Sequence, residues 1–107
     1  MAREAFQTLS EPMYYILIAL LEECCGIDIM KRVEEISFGR IKVGPGTLYA
    51  LLDKFLKYQL IEETKVEGRK RTYLITEKGK DMLDAEYNRI IAQAQDYRAV
   101  FGKEDFS

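Results

Sequence analysis

The side chains best suited to chemistry in this chain are cationic and clustered. Lys65, Arg69, Lys70 and Arg71 lie around one short turn, opposed there only by Glu67. Long cationic side chains on a hairpin tip can touch phosphate oxygens or enter a minor groove. A charge run at a turn can also be no more than a solvated loop tip. Upstream, Gly44-Pro45-Gly46 leads into a helical pattern whose start carries the hydroxyls of Thr47 and Tyr49. A helix N-terminus bearing such groups can address a phosphate or a base edge. The other reading of Tyr49 is a partly buried core aromatic. Lys42 ahead of that helix and Lys54 on its outer face add positive charge, which Asp53 opposes.

Other chemistries lack their parts. The chain has no histidine, which removes the usual proton shuttle and the commonest zinc ligand, and two thiols alone cannot complete a tetrahedral metal site. Cys24 and Cys25 are adjacent, a poor arrangement for stapling distant segments, so the chain reads as intracellular, cytoplasmic and reduced. A redox role would need an exposed thiolate near positive charge. Glu22 and Glu23 on the flank disfavour one, and the pair reads better as small buried hydrophobes. No nucleophile with its base, no phosphate-cradling glycine loop and no metal set can be assembled. The expectation is no catalytic residue, no metal and no cofactor.

The net charge of −2 argues against nucleic acid as a partner, since domains that bind it are often strongly basic. Screening confines each exposed charge to a neighbourhood of roughly 8–10 Å, so the local cluster matters more than the sum. With 107 residues, 48% of them apolar, one cooperative core is expected rather than two domains. The longest apolar run, Met13 to Leu21, is about half the roughly 20 residues that cross a bilayer. No membrane partner is expected, and the N-terminus does not read as a secretory signal.

These groups must be positioned by a definite order of elements. Ser10 caps a helix running to Glu23, with Pro12 in its first turn. Its body is apolar on almost every face, which implies cover on both sides: the domain's own core on one, and an additional element or a second subunit on the other. Gly26 breaks that helix, and Asp28 starts a short amphipathic one with Ile29, Val33 and Ile36 on a single face. Arg40 to Val43 alternates polar with apolar residues, the period of a brief strand or extended link. The third helix buries Leu48, Leu51, Leu52, Phe55 and Leu56 and turns Gly46, Ala50, Asp53, Lys54 and Lys57 outward. Leu60 to Val66 and Arg71 to Ile75 form a hairpin. Thr76 caps the last helix, in which Gly79 is an early weak point and the tail after Phe101 frays. Leu83, Tyr87, Ile90, Ala94, Tyr97 and Phe101 follow alternating spacings of four and three, a seam that meets another long helix.

Leu9-Ser10-Glu11-Pro12, Gly44-Pro45-Gly46-Thr47-Leu48-Tyr49, Leu60-Ile61-Glu62 and Gly68-Arg69-Lys70-Arg71 with Tyr73, Leu74, Thr76 and Gly79 resemble PadR-type transcriptional regulators over roughly residues 9–98. The resemblance implies a mainly α fold with a small β-hairpin. Residues 1–76 would form a winged helix-turn-helix, and residues 77–107 a single C-terminal dimerisation helix, as in the short-form branch. It implies a homodimer, with Tyr14, Leu17, Leu21, Leu83, Tyr87, Ile90, Ala94 and Tyr97 as the expected interface positions. Double-stranded DNA would meet Lys42, Thr47, Tyr49, Lys54, Lys65, Arg69, Lys70, Arg71 and Tyr73. Members are mostly repressors of palindromic operators, and some release DNA when a small aromatic effector binds near the dimer interface. This chain departs from the family in having Cys25-Gly26-Ile27 where His-Gly-Tyr is frequent, and in having no tryptophan on which a flat drug could stack. The competing reading is a winged-helix protein-interaction or ligand-sensing module that does not bind DNA directly.

Overall fold

The computed structural model describes residues 8–102. In chain order the elements are α1 (Glu11–Ala19), β1 (Cys24–Cys25), α2 (Gly26–Ile36), α3 (Pro45–Lys57), β2 (Ile61–Glu67), β3 (Lys70–Ile75) and α4 (Glu77–Phe101). The result is a mainly helical winged-helix fold with a small antiparallel sheet. Ser10 starts α1 as its sequence suggests. The Ser10 Oγ accepts from the Met13 amide at 3.4 Å, while the Met13 sulfur accepts from the Ser10 amide at 3.2 Å. The helix ends earlier than Glu23 because Leu20 and Leu21 close it with turn bonds to Ile16, Leu17 and Ile18.

One core unites the helices. Ile16, Leu17 and Leu20 meet Ile29 and Val33 of α2, Leu48, Leu52 and Phe55 of α3, and Leu60 just before β2. The Ile75 amide donates to the Leu20 carbonyl at 2.8 Å, which fixes the end of β3 to the end of α1. Strand order is β1-β3-β2, with an irregularity in the β2–β3 register between Glu63 and Lys65. Gly68 turns the hairpin with a left-handed φ of 62°, a conformation that glycine adopts without steric penalty.

Three sequence expectations are corrected. Cys24–Cys25 forms a third strand, pairing with Tyr73 and Thr72 of β3. Gly26 is then the first residue of α2 rather than a break between helices. Of the two readings of Arg40 to Val43, the strand is the one that fails: the segment is a link without a ladder, because its polar groups find other partners. The Ile41 amide donates to Ser37 Oγ at 3.0 Å, and the Arg40 guanidinium donates to the Tyr15 hydroxyl at 2.7 Å and to Glu11 at 3.4 Å.

The start of α4 also differs in meaning from its sequence reading. Thr76 caps it, its Oγ1 accepting from the Gly79 amide at 3.1 Å. Gly79 is a close-packing position: a Cβ there would lie 2.2 Å from the Leu60 carbonyl oxygen. Further along, buried Glu86 accepts from the Leu9 amide at 3.1 Å and pairs with Arg89. That hydrogen bond from the Arg89 guanidinium, opposed by burial and helped by the Leu9 amide, holds the Glu86 carboxyl below its ordinary pKa. The α4 helix ends at Phe101 with Gly102 in the left-handed region. The fraying expected beyond Phe101 falls mostly outside the described residues.

Candidate nucleic-acid interface

The α3 helix begins with amides that no side chain caps: Gly44 is the N-cap, makes no side-chain hydrogen bond, and is followed by Pro45. Its N-terminal dipole and free N–H groups face outward with exposed Thr47, an arrangement suited to an anion. The buried stripe of Leu48, Leu52 and Phe55 fixes which face remains outside. Tyr49, Asp53 and Lys54 lie on that outer side and are exposed.

Beside α3 runs a groove of about 720 Å³. Cys25, Gly26 and Ile27 from the start of α2 form one wall, Tyr49 and Asp53 of α3 another, and Arg69, Lys70, Arg71 and Tyr73 of the hairpin the third. The hairpin therefore brings its cations to the groove beside α3. Tyr49 is 44% exposed, and its ring lies against the backbone of Gly26, where a Cβ would come within 2.8 Å of the Tyr49 hydroxyl. Both sequence readings of this tyrosine meet here: one edge packs, and the other is open to the groove.

The remaining expected contact residues divide. Arg71 is held by Glu63 across the hairpin at 3.1 Å, and Lys42 pairs with Glu34 at 3.7 Å, both in exposed positions. Lys65 is exposed on β2 but does not line the groove, and neither do Lys42, Thr47 or Lys54. Tyr73 is corrected: only 4% exposed, it is the groove floor and has little surface for a partner. Burial first, then the Glu63 charge, pushes its phenol above the ordinary value. Sequence reasoning did not place Cys25, Gly26 and Ile27 at this site. Their one signal was that they stand where His-Gly-Tyr is frequent in the family they resemble, since nothing in their own types suggests contact.

The thiols behave as packing groups. Both cysteines are free and buried. Burial raises the Cys24 pKa, partly countered by Arg32, while the Cys25 thiol donates to Asp28 Oδ2 at 3.1 Å.

Away from the groove lining, α4 leaves Tyr87, Ile90, Ile91, Tyr97, Val100 and Phe101 exposed, with Ala94 half-buried among them. Leu21 after α1 is exposed and Tyr14 half-buried. Leu17 and Leu83 are corrected, because both are buried in the chain's own core and have little or no surface to offer a second subunit. No helix among the described residues is long and apolar enough to cross a membrane.

The family model described as the transcriptional regulator PadR-like family matches residues 16–85, which include α2, α3, the wing and the first turns of α4. The chain belongs to the PadR-like family. It is thus a transcriptional regulator with a winged-helix DNA-binding fold, in a family of regulators rather than enzymes. Among solved structures, a PadR-like transcriptional regulator from Bacillus cereus is 26% identical, with a TM-score of 0.69 over 87% of this chain and 93% of that one. RosR of H. salinarum is 25% identical, with a TM-score of 0.69 over 84% of this chain and 80% of that one. A PadR-like transcription factor from Bacteroides fragilis, 24% identical, shares the fold with a TM-score of 0.71 over 83% of this chain and 88% of that one. Comparison with curated proteins gave no match.

Proposed function

We propose that this PadR-like regulator is a cytoplasmic homodimeric repressor that reads an inverted-repeat operator with α3 and steadies itself with the wing. The observation that carries this reading is the groove in which exposed Tyr49 faces Arg69, Lys70 and Arg71. Three cations at one edge of the recognition helix supply a local positive field that the net charge of −2 conceals. The wing cations suit phosphate oxygens, which fix register, while the face carrying Thr47, Tyr49 and Lys54 is the part available to base edges.

The exposed tyrosines and isoleucines of α4, with Leu21, support the two-fold partner: a row of apolar side chains on one long helix is stabilised when a second copy covers it. Tyr14, Tyr87, Ile90, Ala94 and Tyr97 remain the proposed interface positions. Within this reading a small aromatic compound is the releasing effector, an expectation that rests on the family likeness alone.

Sequencing the genomic fragments retained by the purified protein tests the reading. The expected result is a short inverted repeat with half-sites about one helical turn, roughly 34 Å, apart. Retention of no fragment above background would favour the protein-interaction alternative, and retention without any shared sequence would contradict operator reading.

A further inference from the structure

Among the described residues, Asp53 is the only carboxylate lining the groove, and it stands among the wing cations without neutralising them. It lies one helical turn beyond Tyr49 on α3, so the two side chains share a face. Among the described residues Asp53 is exposed and has no hydrogen bond or ion pair, whereas Arg71 turns away to Glu63 at 3.1 Å. Its charge is felt at the phenol of Tyr73 in the groove floor, as one of the smaller contributions there.

A carboxylate placed against DNA repels every phosphate and so weakens binding to all sequences, unless the DNA offers it a donor. Phosphate and deoxyribose within a duplex have none. In the major groove the donors are the exocyclic amino groups, N4 of cytosine and N6 of adenine; guanine and thymine present acceptors at the corresponding positions. Adenine also presents N7 beside N6, so the second carboxylate oxygen would meet a lone pair. Cytosine has only a C–H edge there.

Resting on the DNA-binding reading above, we propose that Asp53 is a specificity-determining residue that selects cytosine at one position of each half-site. It does so by accepting a hydrogen bond from the N4 amino group. Guanine and thymine at that position are disfavoured because acceptor faces acceptor.

Selection from a randomised duplex pool by wild-type protein, Asp53→Ala and Asp53→Asn tests this, followed by affinities for the recovered site with the one position changed to each base. Wild type is expected to favour cytosine there by roughly tenfold, the usual scale of one good base contact. Asp53→Ala should flatten that position and leave the others as they were. Asp53→Asn should move the preference to adenine, whose N6 and N7 match a side-chain amide. Identical base preferences in all three proteins, or a uniform gain in affinity for every base in Asp53→Ala, would overturn the proposal while leaving the DNA reading in place. Failure of the wild type to enrich any duplex would overturn both.

Discussion

The face built from α3 and the wing and the face carried by α4 both expose side chains, but they are supported in opposite ways. On the first, Arg69, Lys70, Tyr49 and Asp53 stand over a finished floor: Tyr73 in the sheet, and Leu48 and Leu52 on the inner side of α3, are already buried. Those exposed groups are charged or polar and are stable in water as they are. On the second, α4 is tied to the core near its start by Leu83, the Gly79 contact and Glu86, and beyond that it presents Tyr87, Ile90, Ile91, Tyr97, Val100 and Phe101. Apolar groups in a row gain from being covered, at about 25 cal/mol for each Å² removed from water. One surface is thus complete in the single chain and is the one proposed to meet DNA, while the other is the one proposed to meet a second copy.

The largest effect expected from this contrast belongs to Ile90→Glu. Ile90 is 38% exposed in the single chain, so the substitution spares the core but sets a charge in the proposed seam, where an unpaired ion costs several kcal/mol, on the order of 3 or more. Sedimentation should find dimer for the wild type and monomer for the variant at micromolar concentration. A variant that stays dimeric would remove α4 as the face that needs a second copy.

Next come two glycines that differ in what stands over them. Gly79→Ala drives a methyl group into the Leu60 carbonyl, a backbone atom that cannot swing aside, and thermal unfolding should show a loss of about 1–3 kcal/mol. Gly26→Ala meets only the movable end of the Tyr49 ring, and alanine is the better helix residue by about 0.5–1 kcal/mol. Its fold should therefore hold while the displaced Tyr49 lowers operator affinity. Equal melting losses in the two variants would show that the groove wall is no easier to deform than the core.

A smaller effect concerns pH. The Glu86 carboxyl is held below its ordinary value first by the hydrogen bond from Arg89 and then by the Leu9 amide. A depressed carboxyl contributes stability that is fully present above the unfolded value, about 4.3, and is lost as pH falls through the lower folded value. Glu86→Gln should cost on the order of 1 kcal/mol at neutral pH, with the gap to wild type closing as pH drops below about 4.3. A gap that persists unchanged in acid would place the effect in packing instead.

What the sequence discloses follows from which signals are local. Helices α2 and α3 and the hairpin are legible because apolar period and punctuation by glycine, proline and Thr76 sit within a few residues of each other. The β1 strand is not, since Cys24–Cys25 is too short to show a period and exists only because β3 has a free edge for it. Arg40 to Val43 carries the alternation of a strand without any partner strand, and Ser37, Tyr15 and Glu11 take its polar groups. The same limit applies to the faces. An all-apolar helix does not say which of its residues turn inward, so Leu17 reads as interface and is core. Asp53 is visible as a charge, but its place opposite the wing depends on the fold bringing the hairpin beside α3.

Whether the wing cations meet DNA phosphates, on which the DNA-binding reading turns, is decided by the salt dependence of binding. Affinities of the wild type and of the Arg69→Ala/Lys70→Ala variant for an operator duplex and for a non-specific duplex are measured across a range of salt concentrations. Each phosphate contact contributes close to one unit to the slope of log affinity against log salt. The wild-type slope should be steep and should become shallower by about two in the double variant, with similar losses on specific and non-specific DNA. Identical slopes for the two proteins would contradict the phosphate role of the wing.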